Sequence, residues 1–598
     1  MNKTIHTERL AALRAELARQ GLDGFVVPHS DAHQNEFLPP DAERLAWLTG
    51  FTGSAGTAVV LADRAAIFVD GRYTLQVRNQ VDGNAYEFLH LIETPVDCWL
   101  GTVLGEGTRL GFDPWFHTQA QKERLARVVT GAKADLVSVT ENPLDAVWTD
   151  RPPPPAAPVV PHDLAYAGRD SAAKRAEIAG VLAKAGADAA VLTQPDSIAW
   201  LLNVRGGDVD HTPLPLSFAI LKADATVDWY VASQKLTDGL AAHLGNGVSV
   251  QPPETFADGL KALSEKRVRV ASDSAAAWVF ERLSGAEILR GEDPVTLPKA
   301  IKNEAELDGT RTAHARDGVA MARFLHWLDE AAQDATIDEI TAADRLAAFR
   351  STGEHFRDLS FDTISCAGPN GAIVHYRVTP ETNRKLEPGS LYLVDSGAQY
   401  LDGTTDITRT VAIGTPTEEM RDRFTRVLKG HIGIANMRFP DGTTGGQIDA
   451  FARHALWQAG LDYDHGTGHG VGSYLGVHEG PQSISKAGSG TALKPGMIVS
   501  NEPGYYKTGE YGIRIENLVA VTPPEAIAGG ERAMLGFESL TLAPIDRRLI
   551  VSDLLTDAER DWLDDYHARV REVIGAGLDG PRDTSVFTWL DAATAPLS

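Results

Sequence analysis

The same α/β pattern is written twice in this chain, once on each side of a run of prolines. In the first copy an Ala/Leu/Arg-rich amphipathic stretch from Glu8 to Gly21 leads to Leu22-Asp23-Gly24-Phe25-Val26-Val27 and then to Leu45-Ala46-Trp47-Leu48. In the second, Lys174 to Gly186 leads to Ala187-Asp188-Ala189-Ala190-Val191-Leu192 and Ile198-Ala199-Trp200-Leu201. A helical period followed by a short apolar run specifies helices packed on a sheet, and its repetition specifies two such units. Between them, Arg151-Pro-Pro-Pro-Pro-Ala-Ala-Pro-Val-Val-Pro161 stiffens toward polyproline II and excludes helix. The expected organisation is a first α/β domain over residues 1–150, a linker over 151–161 and a second α/β domain over 162–299. Twelve residues separate Asp188 from Trp200, against 24 between Asp23 and Trp47, so the first copy carries an insertion around His29 to Asp41. We expect it to be a surface loop. Ala65 to Asp70 and Val227 to Val231 read as strands of the two copies.

A chain of 598 residues calls for several cores, and a hydrophobic content of 43% can supply them. The 56 basic against 81 acidic residues give a net charge of −25, which repels nucleic acid and anionic membranes. Neither is expected as a partner. Two cysteines, Cys98 and Cys366, are too few for a disulfide framework. The N-terminal stretch lacks the apolar core of a secretory leader, and no run of about 18 apolar residues occurs. The expected location is the cytoplasm.

A third region, residues 300–598, opens on Lys302-Asn303-Glu304-Ala305-Glu306-Leu307 and a long helix marked by Val319, Met321, Phe324, Leu325 and Leu328. It closes on a charged amphipathic helix from Asp557 to Val573 and on Trp589 to Leu597, whose apolar residues should dock. Between these lie Asp395, Asp406, His469, Glu502 and Glu516, each in a Gly- or Pro-punctuated segment. Four carboxylates and one imidazole form a hard, oxygen-rich ligand set that favours Mn(II), Mg(II) or a similar ion over structural zinc, and two divalent ions would balance the four negative charges. This set points to a two-metal hydrolase.

Asp395 ends the strand Leu391 to Val394 and Asp406 enters the strand Ile407 to Val411. An antiparallel pair would bring them together. A tight turn at Asp402-Gly403 would set Asp406 opposite Gln399, so a longer or bulged connection is expected. His465-Gly-Thr-Gly-His469-Gly-Val-Gly has the spacing of a helical zinc-binding His pair, but four glycines in eight positions deny the helix. They instead permit close backbone approach. Glu502 follows the apolar strand Met497 to Val499, and in Gly512-Ile513-Arg514-Ile515-Glu516 alternation puts Arg514 and Glu516 on one face. His375 and His478 are the imidazoles available to polarise a carbonyl or move a proton.

Together, Val394-Asp395-Ser396-Gly397, Thr405-Asp406-Ile407-Thr408-Arg409-Thr410, His465 to Gly472, Val477-His478-Glu479-Gly480-Pro481, Asn501-Glu502-Pro503-Gly504-Tyr505 and Arg514-Ile515-Glu516-Asn517 closely resemble aminopeptidase P. These are the Xaa-Pro aminopeptidases of the pita-bread metallopeptidase family. The resemblance covers essentially the whole chain and is closest to the three-domain cytosolic subtype. It implies two creatinase-like N-terminal α/β domains and a C-terminal pita-bread catalytic domain of mixed α/β and α+β class. It also implies two metal ions, usually manganese, with Asp406 and Glu516 bridging, Asp395 on one ion, and His469 and Glu502 on the other. Glu502 is implied as general base, His375 and His478 as substrate-orienting and intermediate-stabilising groups, and His465 and Arg514 as substrate-lining residues. Peptides with proline in second position are the implied substrates, and a homodimer the implied assembly. An Xaa-Pro dipeptidase (prolidase) would share nearly every one of these residues. A metal-free peptide-binding relative would have lost ligands, and none is missing here.

Overall fold

The computed structural model describes residues 3–488 and 490–597, so that Met1, Asn2, Ser489 and Ser598, including the ends of the expected first and last domains, lie outside it. Two compact units are present: Met1–Leu164 with Arg169–Thr296, and Ala165–Gly168 with Leu297–Ser598.

The first unit realises the duplication. Helix α1 (Lys3–Arg19) precedes strands β1 (Gly24–Pro28), β2 (Gly56–Leu61), β3 (Ala65–Val69), β4 (Glu87–His90), β5 (Arg109–Phe112) and β6 (Asp135–Ser138), in sheet order β4-β3-β2-β1-β5-β6. Helix α2 (Ser171–Lys184) precedes β7 (Ala189–Leu192), β8 (Phe218–Lys222), β9 (Val227–Tyr230), β10 (Val248–Gln251), β11 (Arg267–Val270) and β12 (Glu287–Arg290), in order β10-β9-β8-β7-β11-β12. Order and strand direction are the same in both. The identity extends to single contacts. Gly21 and Gly186 end their helices at φ +67°, in the left-handed region open to glycine. The following Asp23 and Asp188 each accept the amide N–H of an arginine, Arg109 and Arg267, at 2.8 Å.

The insertion is not a surface loop. Ser30, Asp31, His33 and Asp41 are buried. Asp31 accepts the amide N–H groups of His33 and Asn35 and the Asn35 side chain, which satisfies the turn internally. His33 is thereby free to stack on Phe218 at 4.3 Å and to bond the Thr193 carbonyl, so the insertion joins the two copies. The proline run has no regular structure from Arg151 to Pro158, and Val160–Pro161 then pairs with Val204–Arg205.

In the second unit, helix α3 (Glu304–Ala331) begins at a reciprocal cap between Asn303 and Glu306 and buries Met321, Phe324, Leu325 and Leu328. It is followed by β13 (Ile364–Ala367), β14 (Ser390–Ser396) and β15 (Ile407–Ile413), which form one three-stranded antiparallel sheet. Helices α4 (Glu418–Ala435) and α5 (Gly445–Trp457) come next. The strands β16 (Gly468–Gly470), β17 (Glu479–Ile484), β18 (Ile498–Asn501), β19 (Gly504–Lys507), β20 (Tyr511–Arg514), β21 (Asn517–Val521) and β22 (Phe537–Ser539) complete the β framework. Five of them make the sheet β17-β16-β18-β21-β22, and β19 pairs with β20. Helices α6 (Asp557–Gly577) and α7 (Thr584–Ala593) close the unit, with Leu590 buried and Trp589 and Leu597 packed against the core, as expected of the tail. The fold class is the expected one: duplicated α/β modules followed by a mixed α+β domain. Cys98 is exposed and Cys366 buried, both free thiols. Among the described residues no helix is long and apolar enough to cross a membrane.

The connection between β14 and β15 differs from expectation. Asp395 faces Thr408, and the same register continues through Gln399 opposite Thr404 and Tyr400 opposite Gly403. The turn is therefore only Leu401-Asp402, neither longer nor bulged. What interrupts the ladder is Gly397, where an added Cβ would collide with the Thr405 carbonyl. Asp395, Asp406 and Thr408 consequently share one face, with the two aspartates diagonal rather than opposed.

Candidate metal centre

Five segments deliver the acidic cluster. β14 presents Asp395, the residue just ahead of β15 is Asp406, β16 carries His469, the chain leaving β18 presents Glu502, and Glu516 sits in the break between β20 and β21. The expected continuous strand through Glu516 is thus divided, yet Arg514 and Glu516 still point to the same place: Arg514 Nε donates to Thr408 Oγ1 at 3.1 Å, and that hydroxyl donates to Glu516 Oε2 at 2.8 Å.

Glycine explains how His469 enters. A Cβ on Gly468 would overlap the Ser500 carbonyl and one on Gly470 the Glu479 carbonyl, so β16 fits between its neighbours only as Gly-His-Gly. His469 N–H donates to Ser500 Oγ at 2.9 Å, and Ser500 Oγ donates to Glu502 Oε1 at 3.1 Å. The Gly470 carbonyl lies 2.9 Å from His469 Nδ1 and can only accept, which makes Nδ1 the donor there and leaves Nε2 as the ring nitrogen facing the carboxylates. Nε2 is 3.5 Å from both Asp406 Oδ2 and Glu502 Oε1.

Asp406, His469 and Glu516 each place one potential ligand atom within 4.8 Å of the others. Asp395 joins through Arg514, whose Nη2 lies 2.6 Å from Asp395 Oδ2. Asp395 Oδ1 and Asp406 Oδ1 are buried and have no hydrogen-bond partner among the described residues, an arrangement that is costly unless a cation takes them. The electrostatics agree. Burial, together with the charges of Asp395 and Glu502, outweighs the hydrogen bond from His469 and pushes the Asp406 carboxyl up to about 6. Burial, then Asp406, Glu502 and Asp395, drive Glu516 well above the usual range. For His469, burial opposes the charge, but Asp406 and Glu502 prevail and raise it to about 9. The set carries negative charge in excess of its cations and suits a pair of divalent ions.

The remaining expected residues surround this set. His478 crosses the His469 ring, with centroids 4.3 Å apart. His465 Nδ1 is 4.0 Å from Glu502 Oε2, and its Nε2 is 2.9 Å from Tyr506 Oη. Tyr506 Oη also accepts Arg514 Nη1 at 2.6 Å, so it links His465 to Arg514. His375 follows Val374, whose carbonyl accepts Arg514 Nη2 at 3.4 Å. Sequence reasoning passed over Thr408, Ser500 and Tyr506. Thr408 could have been found from the alternation of Asp406, Thr408 and Thr410, whereas Ser500 and Tyr506 have no local periodicity to mark them. It also passed over the base of the glycine loop: Arg453 of α5 donates to the His465 carbonyl at 2.8 Å, and Thr467 to Asp449 at 2.6 Å.

Comparison with known proteins is consistent along the chain. Residues 9–147 and 150–306 each match the Creatinase/Prolidase N-terminal domain, 308–523 match Metallopeptidase family M24, and 533–597 match the C-terminal region of that peptidase family. Aminopeptidase P2 of Arabidopsis thaliana is 40% identical over 642 residues, covering 100% of this chain and 89% of that protein. A probable Xaa-Pro aminopeptidase P of Laccaria bicolor is 42% identical over 606 residues, covering 99% and 94%. The crystal structure of an X-prolyl aminopeptidase from Caenorhabditis elegans, described as a cytosolic enzyme with a di-nuclear active site, matches with a TM-score of 0.94 at 34% identity, over 99% of this chain and 100% of that one. With the carboxylates and imidazole of a metal centre gathered in its second unit and relatives matched end to end, the chain belongs to the aminopeptidase P group of metallopeptidase family M24.

Proposed function

We propose that this protein is a dinuclear-metal Xaa-Pro aminopeptidase, which releases the first residue of peptides whose second residue is proline. The observation that carries the reading is the convergence of Asp406, His469 and Glu516, with Glu502 beside His469 and two buried, unpartnered aspartate oxygens. Asp406 and Glu516 would hold both ions, Asp395 one, and His469 and Glu502 the other. Mn(II) is the proposed metal. When bound, the ions supply Lewis acidity toward water and the scissile carbonyl.

The chain's own groups supply the rest. Glu502 takes a proton from the attacking water and hands it to the departing nitrogen, which in an Xaa-Pro bond has no N–H and must be protonated to leave. His478 and His375 donate to the carbonyl oxygen as charge develops on it. Arg514, tied to Asp395, Thr408 and Tyr506, keeps the Asp395 carboxylate aimed inward, and His465 with Arg514 lines the substrate. A homodimer in the cytoplasm, with domain limits at 1–150, 162–299 and 300–598, completes the proposal.

Metal analysis of the purified protein, joined to cleavage of an Xaa-Pro dipeptide and an Xaa-Pro-Pro tripeptide with and without Mn(II), tests it. Metal-dependent release of the first residue from the tripeptide is expected. Cleavage of the dipeptide alone would make the protein a prolidase, and no metal-dependent cleavage of either would overturn the reading.

A further inference from the structure

Arg409 lies on β15 between Thr408 and Thr410 and is 1% exposed. Alternation sets it on the face away from the aspartates. Every nitrogen of its guanidinium is engaged, and each acceptor is neutral. Nε donates to the Pro544 carbonyl at 3.0 Å, and Nη1 to the carbonyls of Thr408 at 2.9 Å and Glu516 at 2.7 Å. Nη2 donates among Asn517 Oδ1 at 2.8 Å, the Ala543 carbonyl at 2.9 Å and Tyr566 Oη at 2.9 Å. A guanidinium is a rigid planar fork, so these bonds fix how β15, the 516–517 break, the 543–544 segment and α6 stand relative to one another.

Glu516 depends most on such a fixture. The ladder between β19 and β20 ends at Arg514, and that between β18 and β21 takes up at Asn517, so Ile515 and Glu516 stand outside both. β15 takes the place of a neighbouring strand. The Glu516 amide N–H donates to the Thr408 carbonyl at 3.2 Å, its own carbonyl accepts from Arg409, and its carboxylate accepts from the Thr408 hydroxyl. With its main chain held on both sides, the residue has one direction in which to send its side chain.

The other arm of the fork reaches the C-terminal region. Besides Arg409, Tyr566 Oη accepts the Ala543 amide N–H at 3.2 Å, and its own hydrogen is shared between the carbonyls of Thr541 at 3.1 Å and Ala543 at 3.0 Å. Trp562, one turn earlier on α6, stacks on the Tyr566 ring with centroids 5.3 Å apart. The hydroxyl that meets Arg409 is itself fixed.

We propose that Arg409 is a positioning residue for the metal centre, through which helix α6 sets the direction of the Glu516 carboxylate. The proposal rests on the ligand role given to Glu516 above.

Mn(II) titration of the metal-free full-length protein, followed by electron paramagnetic resonance, tests it. The unaltered protein should bind two Mn(II) ions and show a spin-coupled signal. Arg409→Met should weaken binding about 10–100-fold, the range for a residue that orients a ligand from behind, and lose the coupled signal. Tyr566→Phe should weaken it about 3-fold alone and no further in the Arg409→Met background, because its effect passes through Arg409. Val570→Ala trims the same core cluster without entering this network, so it should lower the melting temperature and leave affinity and spectrum unchanged. Full affinity of Arg409→Met, additive losses in the double variant, or equal weakening by Val570→Ala and Tyr566→Phe overturns the proposal alone. Fewer than two ions on the unaltered protein would remove the dinuclear reading and this proposal with it, so the two failures are distinguishable. Should Arg409→Met not fold, Tyr566→Phe against Val570→Ala decides.

Discussion

Asp406 concentrates the chemistry of the centre in one side chain, because its burial makes sense only with a cation. Without metal, its carboxyl is pushed up to about 6 from an ordinary value of 3.8. A folded-state value above the unfolded one contributes stability that is full below about 4 and lost as pH rises through about 6. The metal-free protein should therefore gain stability from this group on acidification from pH 7. The metal-loaded protein should do the reverse, since protons displace the ions over the same window. Thermal melts across pH 4.5–7.5, with a chelator and with Mn(II), should give slopes of opposite sign; parallel slopes would refute this. Asp406→Asn should raise the melting temperature of the metal-free protein by relieving repulsion, while abolishing both the Mn(II)-induced shift and peptide cleavage. Thr408 offers a subtler case. Its hydroxyl accepts from Arg514 and donates to Glu516, so Thr408→Val should weaken metal affinity or activity about 10–100-fold, read by metal titration, with the fold retained.

At the scale of elements, glycine decides which strands can meet. β16 lies between β17 and β18, with Gly468 and Gly470 against backbone carbonyls on either side. Backbone cannot yield as a flexible side chain can. Gly468→Ala should therefore cost about 1–3 kcal/mol by overpacking and move His469 off Glu502, seen as lower thermal stability together with substoichiometric metal. Much at this scale was legible beforehand. The helix–Gly–Asp–strand pattern foretold both modules, because local period and a left-handed helix end are properties of adjacent residues. The insertion from His29 to Asp41 and the β14–β15 register were misjudged for a shared reason. Burial of His33 depends on Phe218, and the register depends on the Thr405 carbonyl meeting Gly397, contacts that no window of neighbouring residues contains.

On the scale of the whole molecule, all five proposed ligands belong to the second unit, within its stretch from Leu297 onward, and none to the duplicated modules. Metal should therefore act on one unit alone. Amide hydrogen exchange followed with and without Mn(II) should show protection gained along residues 395–516 and no comparable change in residues 3–150; protection spread evenly over both units would contradict this. The sequence by itself determined which residue types are present, that an α/β unit occurs twice, and that four carboxylates and an imidazole sit in segments able to turn sharply, since periodicity, glycine and charge are local properties. Only the tertiary structure decided that Thr408, Ser500 and Tyr506 bind those side chains together. Such contacts join residues distant in sequence, and their energies exist only once the strands have been brought side by side.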